Sequence, residues 1–160
     1  MLPTKSSLIR RKGDKAVSAE ANKALVRRFV DEPQSSGNID LIDGICSPGL
    51  VNHTPLARDT RRDCEGIEIV TAMFRRAFPG SSCFTVEGMM AEGDKLATRK
   101  TFRGTHEGQF MGIPPSGRSV SMGLMDIVRI CEGRVAEHWS MGDTLGMMQQ
   151  LCAIPSGETP

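Results

Sequence analysis

The chain has no tyrosine at all, and one tryptophan, Trp139, and six phenylalanines are its only aromatic side chains. That excludes a steroid-isomerase mechanism relying on a tyrosine in the oxyanion hole, and a dehydratase that polarises a carbonyl with paired tyrosines. No apolar run is long enough to cross a bilayer, and the first residues carry no apolar leader segment. The net charge of +1 provides no field that would draw nucleic acid or an anionic membrane. Cysteine is present but unpatterned. Cys46, Cys64, Cys83, Cys131 and Cys152 are odd in number and contain no CxxC, so they read as reduced thiols of a cytoplasmic protein. The three histidines, His53, His106 and His138, lack metal-ligand spacing, and no metal is expected.

What is present is one domain's worth of ordinary globular sequence. Residues 1–18 hold five basic side chains against Asp14 and read as a flexible basic tail, with some likeness to a transit peptide. Residues 19–152 form a single domain, and 153–160 a flexible C-terminal tail. In "SAEANKALVRRFVDE", Ala21, Leu25 and Phe29, with Val26 and Val30, recur at helical spacing behind the cap candidate Ser18; Pro33 is expected to end the helix. "SSGNIDLIDGI" reads as a loop and a short second helix, and "SPGLVNHTP" as a short extended piece. "DCEGIEIVTAMFRRAFPG" predicts a third helix ended by Pro79-Gly80, with acids near its start and Arg75 and Arg76 near its end.

From residue 82 the period becomes two. "CFTVEGMMAEGDKLATRKTFRG" predicts two strands turning at Gly93-Asp94. "SVSMGLMDIVRICEGRVAEHWSM" predicts two more turning at Glu132-Gly133. The glycine- and proline-rich "THEGQFMGIPPSGR" connects the hairpins, and a last helix spans about Thr144 to Leu151. Helices followed by antiparallel strands form an α+β pattern, with helices covering one face of a curved sheet.

Two-residue turns fix expectations about faces. In the first hairpin, Glu87 falls opposite Lys100 on a solvated face, while Arg99 joins Phe84, Val86 and Met90 on the other. In the second, Met122, Leu124, Asp126, Val128 and Ile130 face Asp143, Met141, Trp139, Glu137 and Val135, and His138 points away. This sulfur-rich face is either core or the wall of an apolar pocket. Asp126 and Asp143 would then lie ~13 Å apart along the hairpin. Asp143 also stands where a helix N-cap belongs, its carboxylate accepting from Leu145 or Gly146.

The stretch from "FRRAFPG" to "DTLGMMQQL", with its "AEGD" turn, its "GTHEGQFMGIPPSGR" connection and its "EHW", resembles the SnoaL-like polyketide cyclases over residues 21–151. The resemblance implies a cone of the nuclear transport factor two-like type: a curved antiparallel sheet around a pocket, closed by N-terminal helices. It further implies a homodimer or homotetramer and cofactor-free intramolecular aldol ring closure of a polyketide ester, or related isomerase, lyase or hydrolase chemistry. The aspartate that serves such enzymes as general acid/base corresponds to Asp143. His53, His106, Arg99, Asp126, Trp139, Met141, Met122 and Phe29 are the candidate substrate-binding residues around a small apolar ligand, with no nucleic-acid or membrane partner. Lys100 departs from the family pattern, in which an aromatic residue is common. A non-catalytic binding protein and an epoxide hydrolase built on Asp126, Arg99 and Asp143 are the competing readings.

Overall fold

The computed structural model describes residues 18–54, 61–80 and 82–155, so the expected tails lie almost wholly outside the described residues. Helix α1 spans Ala19–Phe29, and its N-cap Ser18 accepts from the Ala21 N–H at 3.2 Å. Pro33 does not stop the chain turning: α1 runs on into a π turn over Val30–Gln34 that contains it. Proline offers no N–H, and the ladder passes it in the wider register of the π turn. A short turn and helix α2 (Ile42–Ile45) lead into strand β1 (Cys46–Asn52).

Helix α3 spans Cys64–Ala77. Its N-cap Asp63 accepts from the Gly66 N–H at 3.2 Å, and a Cβ at Gly66 would lie 1.9 Å from the Arg61 carbonyl oxygen. Only glycine allows so tight an approach at this helix start. Its far end is satisfied by the connection between the hairpins, where the Glu107 and Gly108 N–H groups donate to Ala77 O.

Strands β2 (Cys83–Glu92), β3 (Lys95–Thr105), β4 (Ser119–Cys131) and β5 (Arg134–Gly142) form a meander, and β1 adds in parallel to β5, giving the order β1-β5-β4-β3-β2. The sheet is curved and open, with β1 and β2 at its edges, and helices cover its concave face. Helix α4 (Thr144–Gln150) follows β5 directly. Among the described residues no helix is long and apolar enough to cross a membrane. One core cluster gathers Phe29, Ile42, Ile45, Ile67, Leu96, Val128 and Val135; the other gathers Phe74, Phe78, Phe102, Phe110, Met122 and Met147.

Both turns lie where the sequence places them, yet each hairpin contains one bulge that changes the faces beyond it. In β2–β3, Glu92 pairs with Lys95 as expected, but the register shifts between Val86 and Gly88. Val86 consequently opposes Lys100, which lies inward and 2 % exposed, in phase with Leu96, Thr98 and Phe102 along an uninterrupted β3, while Arg99 faces solvent. The expected Glu87–Lys100 pair on a solvated face does not form. In β4–β5 the shift falls between Arg129 and Ile130, leaving Ala136 extra on β5. Asp126 therefore opposes Ser140 instead of Trp139, and beyond the bulge His138, Ser140 and Gly142 turn inward while Glu137, Trp139 and Met141 turn outward. One inserted residue inverts the face of everything after it.

Candidate active site

The concave face holds a cavity of about 630 Å³. Ile67, Val70 and Phe74 of α3, Phe84 of β2, and Met122 and Leu124 of β4 supply apolar wall, and Gln34, Asn52, Lys100, Asp126, His138 and Ser140 supply polar groups. An apolar cleft with a few convergent polar side chains is the usual form of a small-molecule site.

Asp126 is the centre of the polar group. It is 5 % exposed, forms an ion pair with Lys100, and accepts from Ser140 Oγ at 2.6 Å. His138 Nε2 lies 3.8 Å from its second oxygen. Burial alone would raise the carboxyl, but the Lys100 charge beside it, together with His138, outweighs burial and holds it well below the usual carboxylate range. Asp126 is therefore a fixed anion. Lys100 also donates to Gln34 Oε1 at 2.8 Å, and its ammonium sits 5.1 Å from the centre of the Phe84 ring.

The tautomer of His138 follows from its neighbour. The Thr54 backbone N–H donates to Asn52 Oδ1 at 3.3 Å, which identifies that atom as the amide oxygen. The same oxygen lies 3.2 Å from His138 Nδ1. An oxygen lone pair requires a donor, so Nδ1 carries the hydrogen, and in the neutral ring Nε2 carries the lone pair. Nε2 is buried and has no hydrogen-bond partner among the described residues. An unpaired buried ring nitrogen on a cavity residue is uncommon and calls for an explanation.

The residues singled out from sequence are distributed quite differently. Asp143 caps α4, accepting from the Gly146 N–H at 2.9 Å; it is exposed and does not line the cavity. A Cβ at Gly146 would lie 2.3 Å from Asp143 Oδ2, so glycine there lets the carboxylate lie against its own helix. Trp139 turns outward and stacks on His53, ring centres 4.4 Å apart and nearly parallel. His53 borders the cavity rim, and its Nε2 pairs with Glu137 at 2.7 Å. His106 is fully buried away from the cavity, its Nδ1 3.0 Å from Ser116 Oγ, and it holds the connecting loop in shape. Phe29 belongs to the core cluster, not to the cavity wall. Met122 lines the cavity, and Met141 borders it while 74 % exposed. Of the trio Asp126, Arg99 and Asp143, only Asp126 reaches the cavity, so the epoxide-hydrolase set is not assembled.

Gln34, Asn52, Lys100, His138 and Ser140 were not candidates from sequence. A signal existed for Lys100: it alternates in phase with Leu96, Thr98 and Phe102, all buried.

Comparison with known proteins agrees with the fold. The chain is 26 % identical over 131 residues to the aklanonic acid methyl ester cyclase DauD of Streptomyces sp. (strain C5), covering 79 % of each protein. Among solved structures it superposes on TsrD from Streptomyces laurentii with a TM-score of 0.78 and 30 % identity, over 86 % of this chain and 99 % of that one. IdmH from Streptomyces antibioticus gives a TM-score of 0.72 and 32 % identity, over 81 % and 97 %. The family model of the SnoaL-like polyketide cyclases matches residues 24–151, and the chain belongs to that family.

Proposed function

We propose that the protein is a cyclase acting on a small, largely apolar polyketide-type ester by intramolecular aldol ring closure, with His138 as general acid/base in place of the Asp143 expected from sequence. The unpartnered Nε2 of His138 beside the buried Asp126 anion is the observation that carries this reading. A C–H between two carbonyl groups of the substrate gives its proton to Nε2. Asp126 stabilises the imidazolium so formed, and Asn52 keeps the ring in the tautomer that can accept. The enolate carbon then bonds to a second carbonyl carbon of the same molecule, and the resulting alkoxide takes the proton back from His138. Because the substrate's own carbonyls spread the charge, this sequence of steps needs no cofactor. The apolar walls hold the chain folded in reactive geometry.

The test is turnover of aromatic polyketide methyl esters, the class on which the DauD relative is named to act. His138→Gln is expected to lower kcat by ~10²-fold or more, while Asp143→Asn leaves it within about twofold, since a capping group contributes to helix stability and not to proton transfer. Undiminished turnover in His138→Gln would sink this assignment. Loss of turnover in Asp143→Asn alone would return the role to Asp143.

The convex face supports a homodimer. Met90, Met125, Ile127 and Met141 are exposed there, an apolar patch of the kind that marks an association surface. Met125→Glu should shift the sedimentation of the protein toward the monomer.

A further inference from the structure

We propose that Gln34 and Lys100 together form an oxyanion-binding pair at the cavity, selecting substrates that present a carbonyl able to become an enolate or phenolate. This rests on and deepens the acid–base reading of the same cavity. An ammonium has three N–H donors and no acceptor. Two of its donors are taken by Asp126 and by Gln34 Oε1, the latter at 2.8 Å. Gln34 is therefore held with its oxygen toward Lys100, and its Nε2 amide, a pure donor, has no partner among the described residues. The remaining Lys100 N–H and the Gln34 amide N–H pair thus have no acceptor among the described residues, and both belong to side chains that line the cavity.

Gln34 is the last residue of the π turn that contains Pro33, and such turns recur where a helix must aim a particular side chain. Lys100 is 2 % exposed, so a negative oxygen beside it would be largely shielded from water, where a hydrogen bond to charge is strongest. His138 removes the proton under the proposed function; this pair would hold the oxygen on which the resulting charge settles.

The experiment needs no turnover and no knowledge of the natural substrate. 4-Nitrophenol has a flat apolar ring and an ionised oxygen that mimics an enolate, and its ionisation changes its absorbance. 4-Nitroanisole has the same ring with no ionisable hydroxyl. The wild type is expected to bind the phenolate in preference to the anisole and to lower the probe's pKa in the bound state. Gln34→Met should weaken phenolate binding by about tenfold or more, the size of a hydrogen bond to a charged group, with anisole affinity unchanged. Gln34→Glu keeps an oxygen for Lys100 but removes the amide donor, and should also lose the phenolate.

Equal losses for both probes in Gln34→Met would make Gln34 mere wall and overturn the proposal. So would wild-type phenolate binding in Gln34→Glu, since Gln34 would then act only by anchoring Lys100. Failure of the wild type to bind the phenolate would overturn it as well. Phenolate selectivity without any turnover of polyketide esters would leave the oxyanion pair standing and refute the cyclase reading instead.

Discussion

The sheet carries the same three kinds of group twice, once on each face. On the concave side Asp126, Lys100 and His138 are gathered in the cavity, with the carboxylate and ammonium nearly inaccessible. On the convex side Glu137 and Arg129, joined by His53 from the cavity rim, make a matching trio that water still reaches. The Arg129 hydrogen bond, opposed by partial burial and reinforced by His53, holds Glu137 below the usual carboxylate range too. Chemistry is therefore alike on the two faces; the surrounding medium is not. In the low-dielectric cavity every unpaired charge is costly, so each member constrains the others. At the surface, water and salt substitute for a missing partner.

The largest expected effect comes from breaking the buried pair. Lys100→Met leaves Asp126 buried and uncompensated, and should cost about 3–5 kcal/mol of unfolding free energy measured by urea denaturation. Lys100→Met combined with Asp126→Leu should recover most of that loss while turnover stays absent. A double variant as unstable as the single one would show that the pair contributes packing and not charge balance.

Acid should separate the faces next. Asp126 has a folded pKa below its unfolded value of about 4. Its contribution to stability is therefore complete above about pH 4 and is lost as pH falls toward the folded value. Urea midpoints taken from neutral pH down to about 3 should fall more steeply for the wild type than for the double variant, which retains only the dependence of exposed carboxylates such as Glu137 and Asp63.

Smaller effects are expected where the carboxylate meets solvent. Asp143→Ala removes a helix cap and should cost ~1 kcal/mol in thermal melts. Glu137→Gln should cost under about 1 kcal/mol, and the difference should shrink as salt is added. A Glu137→Gln loss equal to that of Lys100→Met would erase the contrast between the faces.

Much of the fold was legible before any coordinates. The third helix with its acidic start and basic end, both two-residue turns, the inward set from Met122 to Ile130, and the α4 cap all follow from local rules that act within a few residues. The site was legible only in part. Asp126 and Met122 were identified because β4 alternates without interruption. Counting from the turns without a bulge places His138 and Lys100 toward solvent and Trp139 and Arg99 toward the pocket; in fact Ala136 shifts β5, and the bulge in β2 sets Phe84 and Val86 opposite Phe102 and Lys100. Ala136 gives no residue-type warning of one. The glycine at position 88, beside Glu87, was a usable hint of the other. Gln34 and Asn52 could not be found by alternation at all, since they arrive from a π turn and from an edge strand distant in sequence.

By itself, then, the sequence determined the family, and with it the order of helices and strands, the turns and the capping of α4, the last three of which depend on contacts between near neighbours. Tertiary structure alone decided which charged residues are inside. A strand's period names two faces without saying which is buried once a bulge intervenes, and a lysine can occupy the buried face only where Asp126 and Gln34 are brought from other elements to satisfy it.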